Sequence, residues 1–454
     1  MKISMACNSQ SVFLPSGKLS SSNYKMKMMR VKSVLQPPRP AVDETFTKGL
    51  LGGLGPAVVT KQSLTKRLME EEERKSCGNG KFGCYGGRFV PETLVACLNG
   101  LEAEFNSALR DPAFQEELAT ALRDFVGRET PLYYAQRLTN HYKNGDGEGP
   151  EIYLKREDLN HGGAHKINNA VAQAMLAKRM DRKSVVTATG AGQHGVATAA
   201  ACAKISLECT ILMGSLDMER QSSSVVLMNL LGPVWMAFYA PDYFILMDAD
   251  NFDFSDDEHV GDPVVAPEGQ GLESIKVVEG NFKDATSEAI REWVGNLETS
   301  YYLAGTAVGP QPCPTMVREF QSIIGKETRK QGMEKWGGKP DVLIACVGTG
   351  SNALDLFHEF LKDEDVRLIG IEGGGSGIDS RKHSATLVRG EVGVYHGAMS
   401  YLLQDVEGQI VGAHSIAVGL EYPGVSPELS FLKDIGRAEF YPVTDQEAVN
   451  GKPQ

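Results

Sequence analysis

The chain has 454 residues, 42% hydrophobic and 23% charged, a composition that excludes a disordered or collagen-like protein for most of its length. The net charge of −12 at pH 7 argues against a general nucleic-acid binder, and no apolar run approaches the length of a membrane span. Eight cysteines without zinc-ligand spacing indicate reduced thiols and no disulfide scaffold. The length suggests two or three domains, or one large α/β unit of two halves.

The first forty residues differ in composition from the rest. They hold seven Lys or Arg and eight Ser but no Asp or Glu, and they contain no apolar segment of the secretory type. Such a stretch is typical of an organelle transit peptide, and the excess of Ser over Arg favours the chloroplast (plastid stroma). We therefore predict a transit peptide over residues 1–45. A tail without a targeting role is the alternative.

Strand-like and helix-like segments alternate through the body of the chain. The predicted strands are 152–155, 184–188, 209–213, 342–347 and 367–371, and helices are predicted over 166–180, from the glycines at 190–195 to Lys204, and over 352–360. This alternation indicates right-handed βαβ units and a parallel sheet. Ligands of such sheets bind in the loops that follow the strands, so we expect the chemistry after Leu154, Ala188 and Val347.

One segment does not fit this alternation. Residues 242–262 hold eight Asp or Glu and no Lys or Arg. The stretch from Asp248 to Asp253 is similar to a calcium-binding loop, but it lacks the mid-loop glycine, and Phe252 stands where a ligand oxygen is needed. We interpret the segment as a solvated acidic insertion over about 237–275.

The first glycine-rich motif is His161-Gly-Gly-Ala-His-Lys166, between a predicted strand and a predicted helix. Gly162 and Gly163 permit tight turns. Lys166 would begin the helix in a desolvated position beside positive charge, which lowers the pKa of its amine and makes it nucleophilic. This setting suits a lysine that forms a Schiff base. An ordinary solvated lysine is the alternative.

The second motif is Thr189-Gly-Ala-Gly-Gln-His-Gly195, where a strand ends and a helix begins. Successive backbone N–H groups at such a place bind anions, and a carboxylate or a phosphate would fit equally well.

The third motif, Gly348-Thr-Gly-Ser-Asn352, follows a predicted buried strand. It does not continue as a Walker loop, yet its backbone N–H groups and two hydroxyls can hold a phosphate. A plain glycine-rich turn is the alternative. A reactive lysine at one strand end and a phosphate loop at another together point to pyridoxal phosphate, whose aldehyde and phosphate need one group each.

These motifs closely resemble those of the tryptophan synthase β-chain family, which are fold-type II pyridoxal-phosphate enzymes. The resemblance extends from about residue 85 to 447. The matching stretches are 87–94, 161–166, 189–195, 283–289, 317–320, 348–352 and 419–425. It implies two parallel-sheet α/β halves with pyridoxal phosphate bound between them. We expect the halves at residues 80–320 and 321–454.

The resemblance also implies a role for each residue of the motifs. Lys166 would hold the cofactor and move the α-proton of L-serine. His165 would assist the phosphate loop of Gly348, Thr349, Gly350, Ser351 and Asn352. The serine carboxylate would be bound by Thr189, Gly190, Ala191, Gly192, Gln193 and His194, with Glu421 nearby. The reaction would replace the serine hydroxyl by indole and give L-tryptophan.

Partners follow from the resemblance as well. The family forms a β homodimer that pairs with α chains in an α2β2-type complex, and the α chain delivers indole through a tunnel. Tyr395 and His396 match the tunnel region, and Lys283 matches a position that contacts the α chain. A monovalent cation would be bound near Gly348, Tyr422 and Gly424. No nucleic acid, membrane or other metal is expected.

Four departures from the family pattern bear on activity. Ala188 stands where the family has the glutamate that acts as acid and base, and Glu421 stands where it has aspartate. The acidic insertion is the third departure. The fourth is that the chain stops at Gln454, where the family continues, so the second half is expected to be incomplete. Three hypotheses remain open: a tryptophan synthase β chain, a non-catalytic paralogue that binds its chains, and a serine dehydratase-like enzyme.

Overall fold

The computed structural model describes residues 2–6, 80–231 and 271–451, and within them fourteen strands form three sheets with helices packed between and around them. The strands are β1 (Lys2–Ala6), β2 (Lys81–Phe82), β3 (Tyr85–Gly86), β4 (Leu132–Tyr134), β5 (Glu151–Lys155), β6 (Ser184–Thr189), β7 (Glu208–Gly214), β8 (Gly271–Val278), β9 (Ser300–Tyr302), β10 (Val342–Val347), β11 (Arg367–Gly375), β12 (Glu391–Tyr395), β13 (Ala398–Leu402) and β14 (Ala438–Thr444).

The α-helices are α1 (Glu92–Arg110), α2 (Pro112–Ala121), α3 (Gln136–His141), α4 (Lys166–Arg179), α5 (Gln193–Ile205), α6 (Ser215–Arg220), α7 (Ser222–Leu230), α8 (Phe282–Gly295), α9 (Cys313–Gln321), α10 (Ile323–Trp336), α11 (Ser351–Phe357), α12 (Thr386–Arg389), α13 (Pro427–Asp434) and α14 (Asp445–Asn450). A π-helical turn, Leu122–Val126, follows α2. Shorter 3-10 turns are Glu157–Leu159, His161–Gly163, His358–Phe360 and Val418–Leu420. None of these helices combines the length and apolar character needed to cross a bilayer.

Two of the sheets are largely parallel. The six-stranded sheet has the order β14-β11-β10-β1-β5-β4, and only the β4–β5 pair is antiparallel. The four-stranded sheet β8-β7-β6-β9 is parallel throughout. A small antiparallel sheet, β12-β13-β3-β2, completes the described strands. The predicted α/β fold with parallel sheets is therefore confirmed.

The six-stranded sheet contains strands from both sides of the expected boundary between residues 320 and 321. Strands β4 and β5 precede Lys166 in the chain, yet they belong to the same sheet as β10, β11 and β14. Strand pairing depends on tertiary packing, so sheet membership does not follow from the order of elements along the chain. The division into halves at residues 80–320 and 321–454 stays a prediction.

Two other expectations concern segments at the margins of the described residues. Strand β1 lies inside the predicted transit peptide. In the six-stranded sheet it lies between β10 and β5 and pairs with both. The transit peptide itself stays a prediction. Residues 237–270 of the expected acidic insertion lie outside the described residues, and its last five residues belong to β8.

The main hydrophobic core is continuous across both large sheets. It contains Ala170 and Leu176 of α4, Met316 of α9 and Leu354 of α11, all almost without solvent exposure. Helices α4 and α5 are rich in alanine, so they pack closely on each other and on the strands. This shared core fixes the first residue of α4, Lys166, relative to the loop that begins α11.

Candidate active site

Lys166 begins α4 after a turn in which Gly162 and Gly163 have φ values of +77° and +75°. Its Nζ donates a hydrogen bond to the carbonyl of Gly305 at 2.5 Å and lies 3.5 Å from Ser351 Oγ. Lys166 is only partly buried. Burial lowers the pKa of the amine to about 8, and the carboxyl of Asp355 acts against that shift. A substantial neutral fraction near pH 7–8 makes this amine a competent nucleophile.

Polar side chains of α4 hold the helix against the segment that contains Gly305. Asn169 and Gln173 both donate to the carbonyl of Ala304 at 2.7 Å, and the N–H of Ala304 donates back to Gln173 at 3.1 Å. These buried amides are satisfied only when the two segments are in this register. They therefore fix the acceptor of the Lys166 amine as well as the lysine itself.

A buried ionic network lies beneath the same turn, and no sequence motif pointed to it. Arg128 donates to Glu157 at 2.9 Å, to Glu327 at 2.6 Å and to Asn168 at 2.8 Å. Lys155 also donates to Glu327, at 2.6 Å. Although burial acts in the opposite direction, Arg128 lowers the pKa of Glu157 to about 2, so that carboxylate stays charged. The network ties α10 to the first turn of α4.

The predicted carboxylate loop connects β6 to α5. Gly192 has a φ of +84°, and Thr189 Oγ1 accepts the N–H of Gly195 at 3.1 Å. A Cβ on Gly190 would stand 2.7 Å from Phe282, so glycine is needed there for close packing. His194 is buried, and its Nε2 lies 3.2 Å from the carbonyl of Leu303; burial lowers the pKa of its imidazole to about 3. The backbone N–H groups at the start of α5 remain suited to a carboxylate.

The predicted phosphate loop connects β10 to α11. Gly350 has a φ of +98°, and the Asn352 side-chain amide donates to the carbonyl of Cys346 at 3.1 Å. The carbonyl of Thr349 accepts the N–H of Ser426 at 2.8 Å, and a Cβ on Gly348 would stand 2.8 Å from the carbonyl oxygen of Gly419. The loop is thus braced on one side by the segment that contains Glu421, Tyr422 and Gly424.

The arrangement fits pyridoxal phosphate. Lys166 supplies an amine with a lowered pKa, and the Ser351 hydroxyl lies within 3.5 Å of it, so the lysine and the phosphate loop face one site. Asn352 Oδ1 is buried without a hydrogen-bond partner, as a group reserved for a ligand would be. His165 is also buried here, and its pKa is lowered to about 3 by burial, so it is neutral.

Glu421 connects the two halves. It accepts Arg220 Nη1 of α6 at 2.7 Å and the N–H of Ser415 at 2.9 Å. Arg220 had no sequence signal, because α6 and Glu421 are two hundred residues apart in the chain. Glu421 thus ties α6 to the segment around Ser415.

An apolar cavity of about 230 Å³ is lined in part by Gly305, whose carbonyl accepts the hydrogen bond of Lys166. Ala188 and Gly305 belong to its wall. Its aromatic lining consists of Phe89, Phe282, Trp293, Tyr302 and Tyr422. No Asp, Glu, Lys or Arg is among the described residues that line it. The cavity therefore suits a flat, uncharged, aromatic molecule.

A hydrogen-bonded chain crosses the polar side of this cavity. His396 Nε2 lies 3.0 Å from Ser287 Oγ, and its Nδ1 lies 2.5 Å from the hydroxyl of Tyr422. Burial lowers the pKa of His396 to about 4, so the ring is neutral at pH 7. Tyr395 stacks on His396 with ring centroids 3.9 Å apart. Lys283 is placed nearby on α8, where it pairs with Asp284 at 3.1 Å.

Comparison with known proteins gives a family match and two structural likenesses. Residues 124–233 match the sequence model of a family described as "Pyridoxal-phosphate dependent enzyme". The processed form of threonine deaminase isoform 2 from Solanum lycopersicum has a TM-score of 0.45 and 17% identity over 81% of this chain and 74% of that chain. Diaminopropionate ammonia lyase from Escherichia coli, in complex with an aminoacrylate–PLP azomethine reaction intermediate, has a TM-score of 0.47 and 16% identity over 82% and 77%. Likenesses at this level carry no argument about activity.

The family match covers the part of the chain that contains Lys166 and the carboxylate loop. It confirms pyridoxal phosphate as the cofactor predicted from the sequence, and it is coarser than the resemblance to one particular enzyme. The segment of this chain that is similar to the family, residues 124–233, is thus the one that contains Lys166.

Proposed function

We propose that the protein is a tryptophan synthase β chain, which joins L-serine and indole to form L-tryptophan with pyridoxal phosphate as cofactor. The observation that carries this proposal is the uncharged aromatic cavity whose wall includes Gly305, the residue that accepts the hydrogen bond of Lys166. An enzyme that only removes water or ammonia from an amino acid needs no room for a second, aromatic reactant. The resemblance of the motifs to the tryptophan synthase family supports the same conclusion.

Lys166 and the phosphate loop would have separate roles in the reaction. Pyridoxal phosphate, when bound, withdraws electrons from the substrate α-carbon. Lys166 would hold the cofactor and then, as a neutral amine, take the α-proton of serine, a role that a pKa of about 8 allows. Ser351 and Asn352 would hold the phosphate, with the backbone of Gly348–Gly350.

The carboxylate loop would orient serine. Backbone N–H groups of residues 190–194 favour an anion at the start of α5, where the helix dipole adds to the attraction. His194 is neutral at pH 7 and would act as a hydrogen-bonding group without charge. Fixing the carboxylate in this loop would direct the serine hydroxyl toward the cavity.

Ala188 limits the rate of the proposed reaction. It lies in the cavity wall, and a methyl group cannot give a proton to the departing hydroxyl or take one from indole. Loss of a positioned acid–base group lowers rates by about 10²–10⁴-fold. We therefore expect slow turnover. The polar groups that remain at the cavity are the hydrogen-bonded side chains of Ser287, His396 and Tyr422.

The same observation gives an alternative function. If the missing acid–base group prevents indole from adding, dehydrated serine would be released to water and yield pyruvate and ammonia. The partners and the compartment are proposals too: an α chain that docks near Lys283, a second β chain, and the plastid stroma.

The test is turnover by the purified full chain, supplied with pyridoxal phosphate, L-serine and indole. Tryptophan is measured by chromatography, and pyruvate by a coupled assay. Lys166→Ala should abolish both products, whereas Lys178→Ala, an exposed lysine on the same helix, should change neither. Tryptophan from the wild type supports the proposal, and pyruvate alone supports the alternative. If cofactor binds and neither product forms, with or without an added α chain, both are rejected.

A further inference from the structure

A buried carboxyl group lies one helical turn behind the phosphate loop. Asp355 is on α11, four residues after Ser351, and residues at this spacing lie on the same face of a helix. Ser351 Oγ is 3.5 Å from Lys166 Nζ, so this face looks toward the lysine. Asp355 has no solvent exposure, and neither of its carboxyl oxygens has a hydrogen-bond partner.

Such a carboxyl group requires an explanation, because an unpartnered buried charge is strongly unfavourable. Among the residues that the structure describes, Lys166 is the cation that acts on Asp355, and Asp355 in turn acts on the Lys166 amine. Other acidic groups that face Asp355 are Glu157 and Glu428, which are paired with Arg128 and Arg318. Within the described part of the chain, Lys166 is thus the counter-charge available to the Asp355 carboxyl group.

We propose that the Asp355 carboxyl group controls the charge of Lys166 by stabilising its ammonium form. At lower pH, the ammonium of Lys166 faces the carboxylate of Asp355. As the pH rises, Lys166 gives its proton to solvent and becomes the neutral amine. Without the Asp355 carboxylate, the ammonium would lose this proton at a lower pH.

The direction of the pKa shifts agrees with this pairing. Burial raises the pKa of Asp355 well above its ordinary value, and burial lowers that of Lys166 to about 8. His165 and His194 also face the lysine, but both are neutral at pH 7 and cannot take the place of the carboxyl group. Asp355 is therefore a positioning residue that acts through Lys166. The inference rests on the proposed function only for its consequence in catalysis.

The experiment measures the charge of Lys166 without the cofactor. The full-length protein is freed of pyridoxal phosphate and treated with formaldehyde and cyanoborohydride at pH 6–10, and methylation of Lys166 is followed by peptide mass spectrometry. Only a neutral amine reacts, so the midpoint of the rate reports the pKa. The exposed Lys178 provides an internal reference in the same samples.

We expect a wild-type midpoint near pH 8, as the lowered pKa requires. Asp355→Asn removes the charge that favours the ammonium, so its midpoint should fall by about one unit, and methylation at pH 7 should be about five-fold faster. Asp355→Glu should restore the wild-type profile. Glu372→Gln changes another buried carboxyl group that does not act on Lys166, and it should leave the profile unchanged.

The outcomes separate the inference from the proposed function. Equal midpoints in wild type and Asp355→Asn would overturn the pairing, even if the protein makes tryptophan. A shifted midpoint would support it, even in a protein without turnover. Should Asp355→Asn fail to fold, Asp355→Ala tests the same prediction, since it also removes the charge.

Discussion

The imidazole of His194 lies directly against Gly305. A Cβ on residue 305 would stand 2.3 Å from the ring, closer than any side chain can approach, and the carbonyl of the same glycine accepts the hydrogen bond of Lys166. One small residue thus brings the carboxylate loop and the reactive lysine to a single point. This contact explains why a glycine far from every motif belongs to the site.

Gly305→Ala should therefore damage the site more than the fold. The added methyl group must displace His194 or the 303–307 segment, and overpacking of this kind costs about 1–3 kcal/mol. We expect weaker binding of L-serine in calorimetric titrations and a modest drop in the unfolding free energy. Gly100→Ala in α1 is the control, because nothing lies within 4 Å of the new methyl group and alanine favours a helix. Equal serine binding in the two variants would contradict the role of this contact.

The ionic network beneath Lys166 predicts a large stability effect. Glu327 accepts hydrogen bonds from both Arg128 and Lys155, all three side chains being almost fully buried. Glu327→Ala leaves two buried cations facing the single carboxylate of Glu157, and breaking such a pair costs about 3–5 kcal/mol. Urea denaturation should show this loss. Glu334→Ala, an exposed partner 4.0 Å from Lys330, should change the unfolding free energy by less than about 0.5 kcal/mol.

The positions of the loops at the candidate site could be predicted from local sequence features. Glycines before Lys166 and after β6 and β10 mark turns at strand ends, so the position of each loop followed from its neighbours in the chain. Ligands of parallel sheets bind in such loops. The predicted helix from Lys166 and the strand at 342–347 were confirmed within a residue or two.

Residues that act from a distance along the chain could not be predicted in this way. Gly305, Arg220 and Asp355 have no motif of their own, and each matters only because tertiary packing brings it to Lys166 or Glu421. Asp355 did carry a faint signal, as an acidic residue inside an otherwise apolar helix. Sheet membership depends on distant parts of the chain in the same way, since β5 pairs with β1, which lies near the start of the chain.

The central strand β1 predicts sensitivity to a single proline. Each backbone N–H of a central strand donates to one of its two neighbours, here β10 or β5. Ser4→Pro removes one donor and leaves a carbonyl without its partner, which costs about 1–3 kcal/mol. Ser4→Thr keeps the N–H and is the control. The melting temperatures of the two variants decide the matter, and equal values would show that β1 contributes nothing.

The same strand also bears on the predicted transit peptide. Cleavage near residue 45 would remove β1, and β10 and β5 would then need another strand between them. A chain that begins at residue 46 should unfold at a lower temperature than the full chain. If it is equally stable, the sheet does not depend on β1, and a cleaved leader is fully compatible with the fold.

Glu372 predicts a pH dependence of stability with a definite sign. Its carboxyl group is buried in β11 and accepts the N–H groups of Leu387 at 2.6 Å and Val388 at 2.9 Å. Burial raises its pKa to about 7, above the ordinary value of 4.5. A raised folded-state pKa means that the folded protein binds the proton more tightly, so this contribution to stability is present below pH 4.5 and is lost as the pH rises through 7.

Glu372→Gln has no proton to lose in that window. The difference in unfolding free energy, wild type minus variant, should therefore fall by roughly 2–3 kcal/mol between pH 4.5 and 8. Urea denaturation at several pH values measures it. His194→Asn should give the opposite trend: the difference in unfolding free energy, wild type minus variant, should fall as the pH decreases. Burial lowers the pKa of His194 to about 3, so the stability that the neutral imidazole contributes is lost as the pH falls below 6.5. A Glu372→Gln difference that does not change with pH would mean that the carboxyl group is already charged in the folded protein at low pH.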